Sequence, residues 1–280
     1  MNKYLKYGLI TVVAVVLVVV FGLMYKKYIK ISDDDLKIYF FNAGAADACL
    51  ISINDKYMMI DTGEESMGEE IINYFKKNNI TKLDYLIITH FDKDHVGSAS
   101  RIIDSIIVDN VLHNNVPKDS DEYNNYMNSL IARGVDSKIV ESKESYDLEG
   151  LSFKLIGTST KFSEDESNNA SLIVEMSYKK NKFLFTGDIE NDRIKEYMKS
   201  DLKHFDLVKM PHHGRIEKKL DNLLEKVKPR YAIITSSNED KEDNETINLL
   251  KNLNIDYYLT REGAITVRSN GNYIKVEQGD

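Results

Sequence analysis

The chain has 280 residues, of which 42% are hydrophobic and 29% charged, a composition typical of globular proteins with one large domain or two small ones. Its single cysteine, Cys49, excludes an intramolecular disulfide. Residues 1–30 carry five of the 37 basic side chains and none of the 45 acidic ones, which leaves 32 basic against 45 acidic, or −13, for the rest. A body this acidic offers no broad electrostatic surface for nucleic acid, so a polyanionic substrate would need local help, most naturally from metal ions.

The N-terminus contains a long apolar segment. Residues 8–24 form seventeen consecutive positions without a charge, with Thr11 as the one polar interruption. Such a helix reaches roughly 25 Å, close to the span of a bilayer core. A signal peptide would end in small residues, which FGLMYKK lacks, and a buried core helix would show a polar face. We therefore expect residues 1–30 to be an uncleaved single-pass membrane anchor.

The orientation of this anchor is not decided by the positive-inside rule, because two lysines precede the apolar segment and three follow it. We expect the globular domain, residues 31–280, to lie on the extracytoplasmic side of the cell membrane. The chain has no multi-span region that could form a channel, so we do not expect it to transport anything itself.

Short apolar runs rich in β-branched and aromatic residues predict strands through the first half of the globular part. They lie at 36–41, 48–53, 57–61, 83–89 and 106–112. Residues 64–78 place apolar side chains on one stripe, with acids in the first turn and lysines in the last, as in a helix whose dipole is complemented at both ends. Further helices are predicted near 98–106 and 122–133.

The second half of the globular part also alternates predicted strands with predicted helices. Strands are predicted at 152–158, 170–178, 183–188, 206–210 and 231–237, followed by YYLT, AITV and YIKV near the end. Helices are predicted near 190–199, 216–227 and 243–253. No short fixed repeat is present, which argues against a solenoid. Two β-rich halves with interspersed helices predict an α/β (α+β) protein of two packed sheets with helices outside.

The stretch THFDKDHVGS concentrates metal-binding side chains directly after a buried strand. His90, Asp92, Asp94 and His95 supply two imidazoles and two carboxylates, a ligand set suited to zinc, manganese or iron. A tight loop can bring such side chains to one point. The alternative is a solvated acidic loop with incidental histidines.

Three other predicted strands also end in acidic residues or histidines. Asp61 ends the strand in MMIDTG, Asp188 ends the strand in FLFTGD, and His212 and His213 follow the strand in VKMPHHG. Any one of these could be an ordinary turn or a surface accident. Together they predict that acids and histidines from distant parts of the chain gather on one rim of the sheets.

The ordered set IDTG, THFDKDHVG, FTGD and PHHG resembles the metallo-β-lactamase fold superfamily. Within it, the chain is most similar to the branch typified by the soluble domain of the competence DNA-uptake channel protein. FNAGAAD stands where that branch has a VGQGD-like turn, with Asp47 in the matching place. The resemblance covers roughly residues 36–277. It implies a four-layer αββα sandwich, after one N-terminal transmembrane helix, with two divalent metal ions at the sandwich edge.

The resemblance also implies the ligands of both ions. His90 and Asp92 would hold the first ion, and Asp94 and His95 the second. Asp188 would bridge the two. The tandem pair, His212 and His213, would complete the set, without individual assignments.

Catalysis is expected to depend on Asp61, Asp94 and His213. The resemblance implies that Asp61 orients a ligand histidine by a hydrogen bond. It also implies that a water between the ions loses its proton near neutral pH and attacks the substrate as a metal-bound hydroxide.

Three departures from the family pattern matter. Asp92 replaces the middle histidine of HxHxDH, and this oxygen ligand brings manganese into consideration beside zinc. The isolated ligand histidine between the HxHxDH and TGD motifs has no match, since His113 follows His95 too closely and is interpreted as a strand-end residue. Arg215 follows PHHG and could bind a phosphate or cap the next helix region. His204 is expected at the surface.

These features together predict a membrane-anchored, metal-dependent hydrolase acting on a phosphodiester, in DNA, a cyclic nucleotide or a wall polymer. A phosphorylcholine esterase acting on choline-decorated teichoic acid is an alternative, because the acidic body argues against long nucleic acid. Hydrolysis of a β-lactam or thioester, and a non-catalytic metal-containing binding module, are further alternatives. No protein partner follows from the sequence.

Overall fold

The computed structural model describes residues 3–32, 35–162 and 166–279. Within these ranges the helices are α1 (Lys3–Ile29), α2 (Gly68–Lys77), α3 (Lys93–Val96), α4 (Ala99–Ser105), α5 (Asp121–Arg133), α6 (Glu166–Asn169), α7 (Asn191–Tyr197), α8 (Leu220–Val227) and α9 (Asn244–Asn252). The strands are β1 (Leu36–Phe40), β2 (Ala48–Ile53), β3 (Lys56–Thr62), β4 (Lys82–Leu83), β5 (Tyr85–Ile88), β6 (Ile107–Val108), β7 (Val111–His113), β8 (Ser137–Ile139), β9 (Lys143–Leu148), β10 (Leu151–Ile156), β11 (Ile173–Tyr178), β12 (Asn181–Phe185), β13 (Leu207–Lys209), β14 (Tyr231–Ile234), β15 (Asp256–Leu259), β16 (Ile265–Ser269) and β17 (Ile274–Gln278).

Two large sheets carry the fold. The first has the strand order β17-β16-β1-β2-β3-β5-β7-β8, and the second has the order β15-β14-β13-β12-β11-β10-β9. Each sheet joins an antiparallel part to a parallel part. Strands β3 and β5 run parallel in the first sheet, and β12, β13 and β14 run parallel in the second. Parallel strands bring their carboxyl ends to one edge, where the segments that follow them can meet.

Three apolar layers hold the sheets and helices together. Side chains from the inner faces of both sheets form one buried cluster that includes Phe40, Phe153 and Phe185. Helices α2, α4 and α5 cover the outer face of the first sheet. Helices α7, α8 and α9 cover the outer face of the second. The predicted four-layer αββα sandwich of α/β (α+β) class is therefore confirmed.

Two strands, β8 and β9, were not predicted, and the predicted strands at 83–89 and 106–112 each span two observed strands. Strand β9 lies at the edge of the second sheet with alternate side chains exposed, and its sequence KESYDL lacks the apolar run on which strand prediction depends. The predicted strand at 106–112 is two short strands. Its first part, β6, pairs with β4 in a separate two-stranded sheet, and its second part, β7, joins the large one.

Helix α1 contains a 20-residue stretch, Ile10–Ile29, that is long and apolar enough to cross a membrane. Its end is fastened to the turn between β16 and β17. The hydroxyl of Tyr28 donates to the carbonyl of Asn272 at 2.7 Å, and the Asn270 amide donates to the carbonyls of Tyr28 and Lys30, both at 2.7 Å. The division into an anchor, residues 1–30, and a hydrolase domain, residues 31–280, stays a prediction.

Candidate metal centre

Acids and histidines converge at the carboxyl ends of strands from both sheets. Asp61 lies near the end of β3, and His90 follows β5 after one residue, Thr89. From the second sheet, Asp188 follows β12 and His213 follows β13. The four predicted motifs thus meet at one edge of the sandwich.

The turns that carry these side chains contain non-glycine residues in the left-handed backbone conformation. Asp61, His212 and His213 all have positive φ, at 54°, 46° and 52°. Non-glycine residues adopt this left-handed conformation at a cost of about 1–2 kcal/mol each. Gly187, with φ +53°, stands before Asp188, and a Cβ there would lie 2.8 Å from the Cβ of Ser171. A larger residue would therefore displace the loop that carries Asp188.

Four side chains form the tightest group. Asp94, His95, Asp188 and His213 each offer one donor atom, and these atoms all lie within 4.8 Å of one another. The Nε2 atom of His213 lies 3.0 Å from Oδ2 of Asp94 and 3.0 Å from Oδ2 of Asp188. The Nε2 atom of His95 lies 3.2 Å from the same Asp188 oxygen. Two imidazoles and two carboxylates at this spacing suit a divalent cation.

The imidazole of His95 is held from behind by Asp61. Its Nδ1–H donates to Oδ2 of Asp61 at 2.9 Å, and Asp61 also accepts from the backbone N–H and the hydroxyl of Thr89, both at 2.7 Å. All three residues are buried. Burial raises the pKa of Asp61, while the charge and hydrogen bond of His95 oppose that shift. The contact directs Nε2 of His95 to the four-residue group.

We expect Asp61→Asn to weaken binding of a divalent ion roughly 10- to 100-fold, because the amide keeps the shape but loses the charge that orients His95. Competition with a chromophoric chelator measures the affinity. Asp55→Asn is the matched control, since Asp55 is exposed in the turn before β3. An Asp61→Asn protein that binds metal like the Asp55→Asn protein would show that this contact does not tune the site.

His213 is fixed in a comparable way. Its Nδ1–H donates to the carbonyl of Thr235 at 2.9 Å, which leaves Nε2 to face the two carboxylates. Burial opposes protonation, but Asp188 raises the pKa of His213 to about 9. Conversely, burial works against ionisation of Asp188, and His213 and His95 nevertheless keep its pKa well below the usual range. His213 therefore pairs as an imidazolium with the ionised Asp188, and a metal ion bound at its Nε2 would replace that proton.

His90 and Asp92 lie beside this group. The ring centroids of His90 and His95 are 4.1 Å apart, and Nε2 of His90 lies 3.8 Å from Oδ1 of Asp92. Burial and the neighbouring His95 lower the pKa of His90 to about 3, so this imidazole is neutral and available as a ligand. Three buried atoms that face the centre make no hydrogen bond: Nε2 of His90, Nε2 of His95 and Oδ1 of Asp188. Buried nitrogen and oxygen atoms that lack a hydrogen-bond partner are suited to be ligands of a bound cation.

The adjacent histidines, His212 and His213, lie in two different clusters. His213 joins the four-residue group, whereas the Nδ1 atom of His212 lies 3.5 Å from Oε1 of Glu190, in a second cluster with Glu217. The structure therefore does not place His212 with Asp94, His95 and Asp188. Two adjacent left-handed residues turn the two rings in different directions, with their centroids 6.2 Å apart. Sequence alone could not distinguish them.

The remaining candidates lie elsewhere. His113 is the last residue of β7, as predicted, and its Nδ1–H donates to the carbonyl of Asn114 at 2.8 Å. His204 is at the surface, with 59% of its side chain exposed. The side-chain contacts of Arg215 are with the segment before α9. Its guanidinium pairs with Asp240 and lies 3.5 Å from Asp243.

A buried lysine was missed by the sequence analysis. Lys209 ends β13, has 3% of its side chain exposed, and pairs with Asp47 while lying 3.5 Å from Oδ1 of Asp188. Asp47 in turn accepts from the hydroxyl of Thr235 at 2.6 Å, which connects it to the residue that holds His213. Burial works against the charge of Lys209, but Asp47 and Asp188 raise its pKa above the ordinary value. In the sequence, the sign of this buried lysine was its position between apolar residues in the predicted strand DLVKM, which precedes PHHG.

Fold and site together place the chain among proteins of the metallo-β-lactamase fold that carry a candidate metal centre. Residues 42–236 match the family model described as Metallo-beta-lactamase superfamily. Because this match covers well over half of the sequence, the chain belongs to the metallo-β-lactamase superfamily.

Two curated relatives are similar to this chain. Recombination protein 2 of Haemophilus influenzae is 28% identical over 200 residues, which are 70% of this chain and 23% of that protein. ComE operon protein 3 of Bacillus subtilis is 25% identical over 182 residues, 63% of this chain and 23% of that protein. The chain thus spans less than a quarter of the length of either relative. The predicted likeness to the competence branch is confirmed.

Solved structures share the fold at low identity. The metallo-beta-lactamase fold protein YhfI from Bacillus subtilis has a TM-score of 0.58 at 8% identity, covering 87% of this chain and all of that one. CmlA, a diiron beta-hydroxylase from Streptomyces venezuelae, has a TM-score of 0.55 at 13% identity, covering 85% of this chain and 55% of that one. At these identities the similarity shows the fold alone.

Proposed function

We propose that this protein is a membrane-anchored hydrolase that cleaves a phosphodiester with the help of divalent metal ions. The observation that carries the proposal is the group Asp94, His95, Asp188 and His213, with its donor atoms within 4.8 Å of one another at the sandwich edge. A structural zinc site would be closed by cysteine and histidine, whereas a carboxylate-rich set leaves coordination positions open for water and substrate.

The proposed cofactors are two divalent ions, Zn²⁺ or Mn²⁺. The four-residue group would hold one ion, and His90 with Asp92 would hold the other, with Asp188 between them. Mixed nitrogen and oxygen donors suit both metals, and Asp92 makes its half of the centre harder. When bound, such ions supply Lewis acidity and an activated water at neutral pH.

The chain itself supplies preorganisation. His95 and His213 are each fixed through Nδ1, by Asp61 and by Thr235, so their Nε2 atoms need no reorientation when a charged substrate arrives. His90, His95 and Asp188 are buried, which keeps the local dielectric low and strengthens electrostatic interactions with developing negative charge. Asp94 is the more accessible carboxylate of the group, with 22% of its side chain exposed against 3% for Asp188.

The proposed substrate is a phosphodiester in DNA or a related nucleic acid. The name of one relative, Recombination protein 2, supports a nucleic acid over other phosphodiesters. The excess of acidic residues outside the anchor favours a second candidate, a phosphorylcholine esterase acting on a wall polymer.

The proposed location is the extracytoplasmic face of the cell membrane. Helix α1 joins the sandwich at the turn between β16 and β17, beside the start of β1. The candidate centre lies at the other end of β1, a strand of five residues or roughly 16 Å. The centre would therefore open away from the membrane surface, towards substrates in solution or in the wall.

The test uses the purified full chain in detergent. We expect elemental mass spectrometry to find bound zinc or manganese, and bis-p-nitrophenyl phosphate to be hydrolysed in a manner lost with a chelator and restored by metal. Preference for p-nitrophenyl phosphorylcholine would favour the second candidate. Hydrolysis of nitrocefin alone would shift the assignment to a β-lactam substrate. Metal without any turnover would indicate a binding module, and no metal at all would refute the proposal.

A further inference from the structure

The two halves of the candidate centre differ in how closely their donors are gathered. Four potential ligand atoms, one each from Asp94, His95, Asp188 and His213, lie within 4.8 Å of one another. Across residues 3–32, 35–162 and 166–279, no comparable group contains His90 or Asp92. That half offers one imidazole nitrogen and one carboxylate oxygen 3.8 Å apart.

The carboxylate of this looser half is already paired with a cation. The ammonium of Lys118 lies 2.6 Å from Oδ1 of Asp92, and the hydroxyl of Ser167 donates to the same oxygen. Lys118 comes from the segment between β7 and α5, and 38% of its side chain is exposed. Burial works against the charge of Asp92, but the hydrogen bonds from Lys118 and Ser167 keep its pKa below the ordinary value.

A second ammonium, that of Lys209, lies beside Asp188, the carboxylate that would bridge the two ions. Oδ2 of Asp188 faces His95 and His213, whereas Oδ1 lies 3.5 Å from the buried ammonium of Lys209. Both carboxylates that would serve an ion beside His90 therefore have lysine neighbours. In the four-residue group, by contrast, Oδ2 of Asp94 and Oδ2 of Asp188 face the imidazole of His213.

We propose that Lys118 sets the metal stoichiometry of the centre. Its ammonium competes with a divalent ion for Asp92, so the protein holds one ion tightly at Asp94, His95, Asp188 and His213 and a second ion, at His90 and Asp92, much more weakly. Like charges repel and one oxygen cannot serve both cations fully, so the second ion must displace Lys118. This inference rests on the proposed function, because it concerns the same centre.

The test is a titration of metal-free full-length protein in detergent with Mn²⁺, following the free ion by electron paramagnetic resonance. We expect two classes of site in the wild-type chain, with dissociation constants that differ at least about tenfold. Lys118→Ala should tighten the weaker site roughly 10- to 100-fold and leave the tighter one unchanged. Lys118→Arg, which keeps the charge, should behave like the wild type.

Lys93→Ala is the matched control. Lys93 belongs to the same ligand loop, but 70% of its side chain is exposed and its ammonium lies 4.0 Å from Glu64. Its removal should leave both affinities unchanged. Two equal sites in the wild-type chain, or a Lys118→Ala protein with unchanged affinities, would overturn the inference. Hydrolytic activity is read separately, so a protein that binds two ions unequally without turnover would refute the proposed function alone.

Discussion

Asp188→Asn is expected to reduce hydrolysis of a phosphodiester by about 10³-fold or more without unfolding the chain. Oδ2 of Asp188 lies 3.0 Å from Nε2 of His213 and 3.2 Å from Nε2 of His95, so it stands at the middle of the candidate centre. Asparagine keeps the size of the side chain but removes the negative charge that balances a bound cation. Losing preorganised charge at a reacting centre commonly costs 10²–10³ in rate, and weaker metal binding adds to that loss. Steady-state kinetics with bis-p-nitrophenyl phosphate, at saturating metal, measure the effect.

The control for this experiment is Asp192→Asn. Asp192 lies in α7, has 42% of its side chain exposed and pairs with Lys195 on the same helix. We expect activity within about twofold of the wild type, because an exposed pair on a helix contributes little even to stability. An Asp188→Asn protein that retains activity within tenfold would place the reaction outside this centre. Equal losses in both variants would indicate a general effect on folding.

Lys209→Met is expected to produce the largest loss of stability. The side chain is 3% exposed, its ammonium pairs with Asp47, and Asp188 lies 3.5 Å away. Methionine fills the space but leaves two buried carboxylates without this positive charge. Removing one partner of a buried ion pair typically costs about 3–5 kcal/mol in the free energy of unfolding. For a domain of this size that corresponds to a fall in Tm of about 10 °C.

Thermal unfolding of the chelated protein, followed by circular dichroism, tests this expectation. Added Mn²⁺ should recover part of the loss, since a cation beside Asp188 replaces some of the missing charge. Lys203→Met is the control, because 62% of the Lys203 side chain is exposed and its partner Asp201 is also at the surface. A change in Tm below about 2 °C for Lys209→Met would show that the buried lysine is not needed to neutralise the site.

The apolar patterns of the chain predicted most of the elements that build the sandwich. Helix α5 begins within one residue of its predicted start and ends at its predicted end, and the structure shows Ser120 as its N-cap and the left-handed Gly134 directly after it. Strand β9 escaped prediction because an edge strand exposes alternate side chains and needs no apolar run. Its pairing with β10 decides its conformation.

The sequence by itself determined the superfamily, the order of the motifs and the ligand types, because these depend on residue identity and spacing at strand ends. Only the tertiary structure decided which atoms meet. It turned His213 towards Asp188 and His212 towards Glu190, and it brought Lys118 to Asp92. These contacts join residues far apart in the chain or depend on two consecutive backbone torsions. No local pattern records them, since they follow from how two sheets pack and where their loops end.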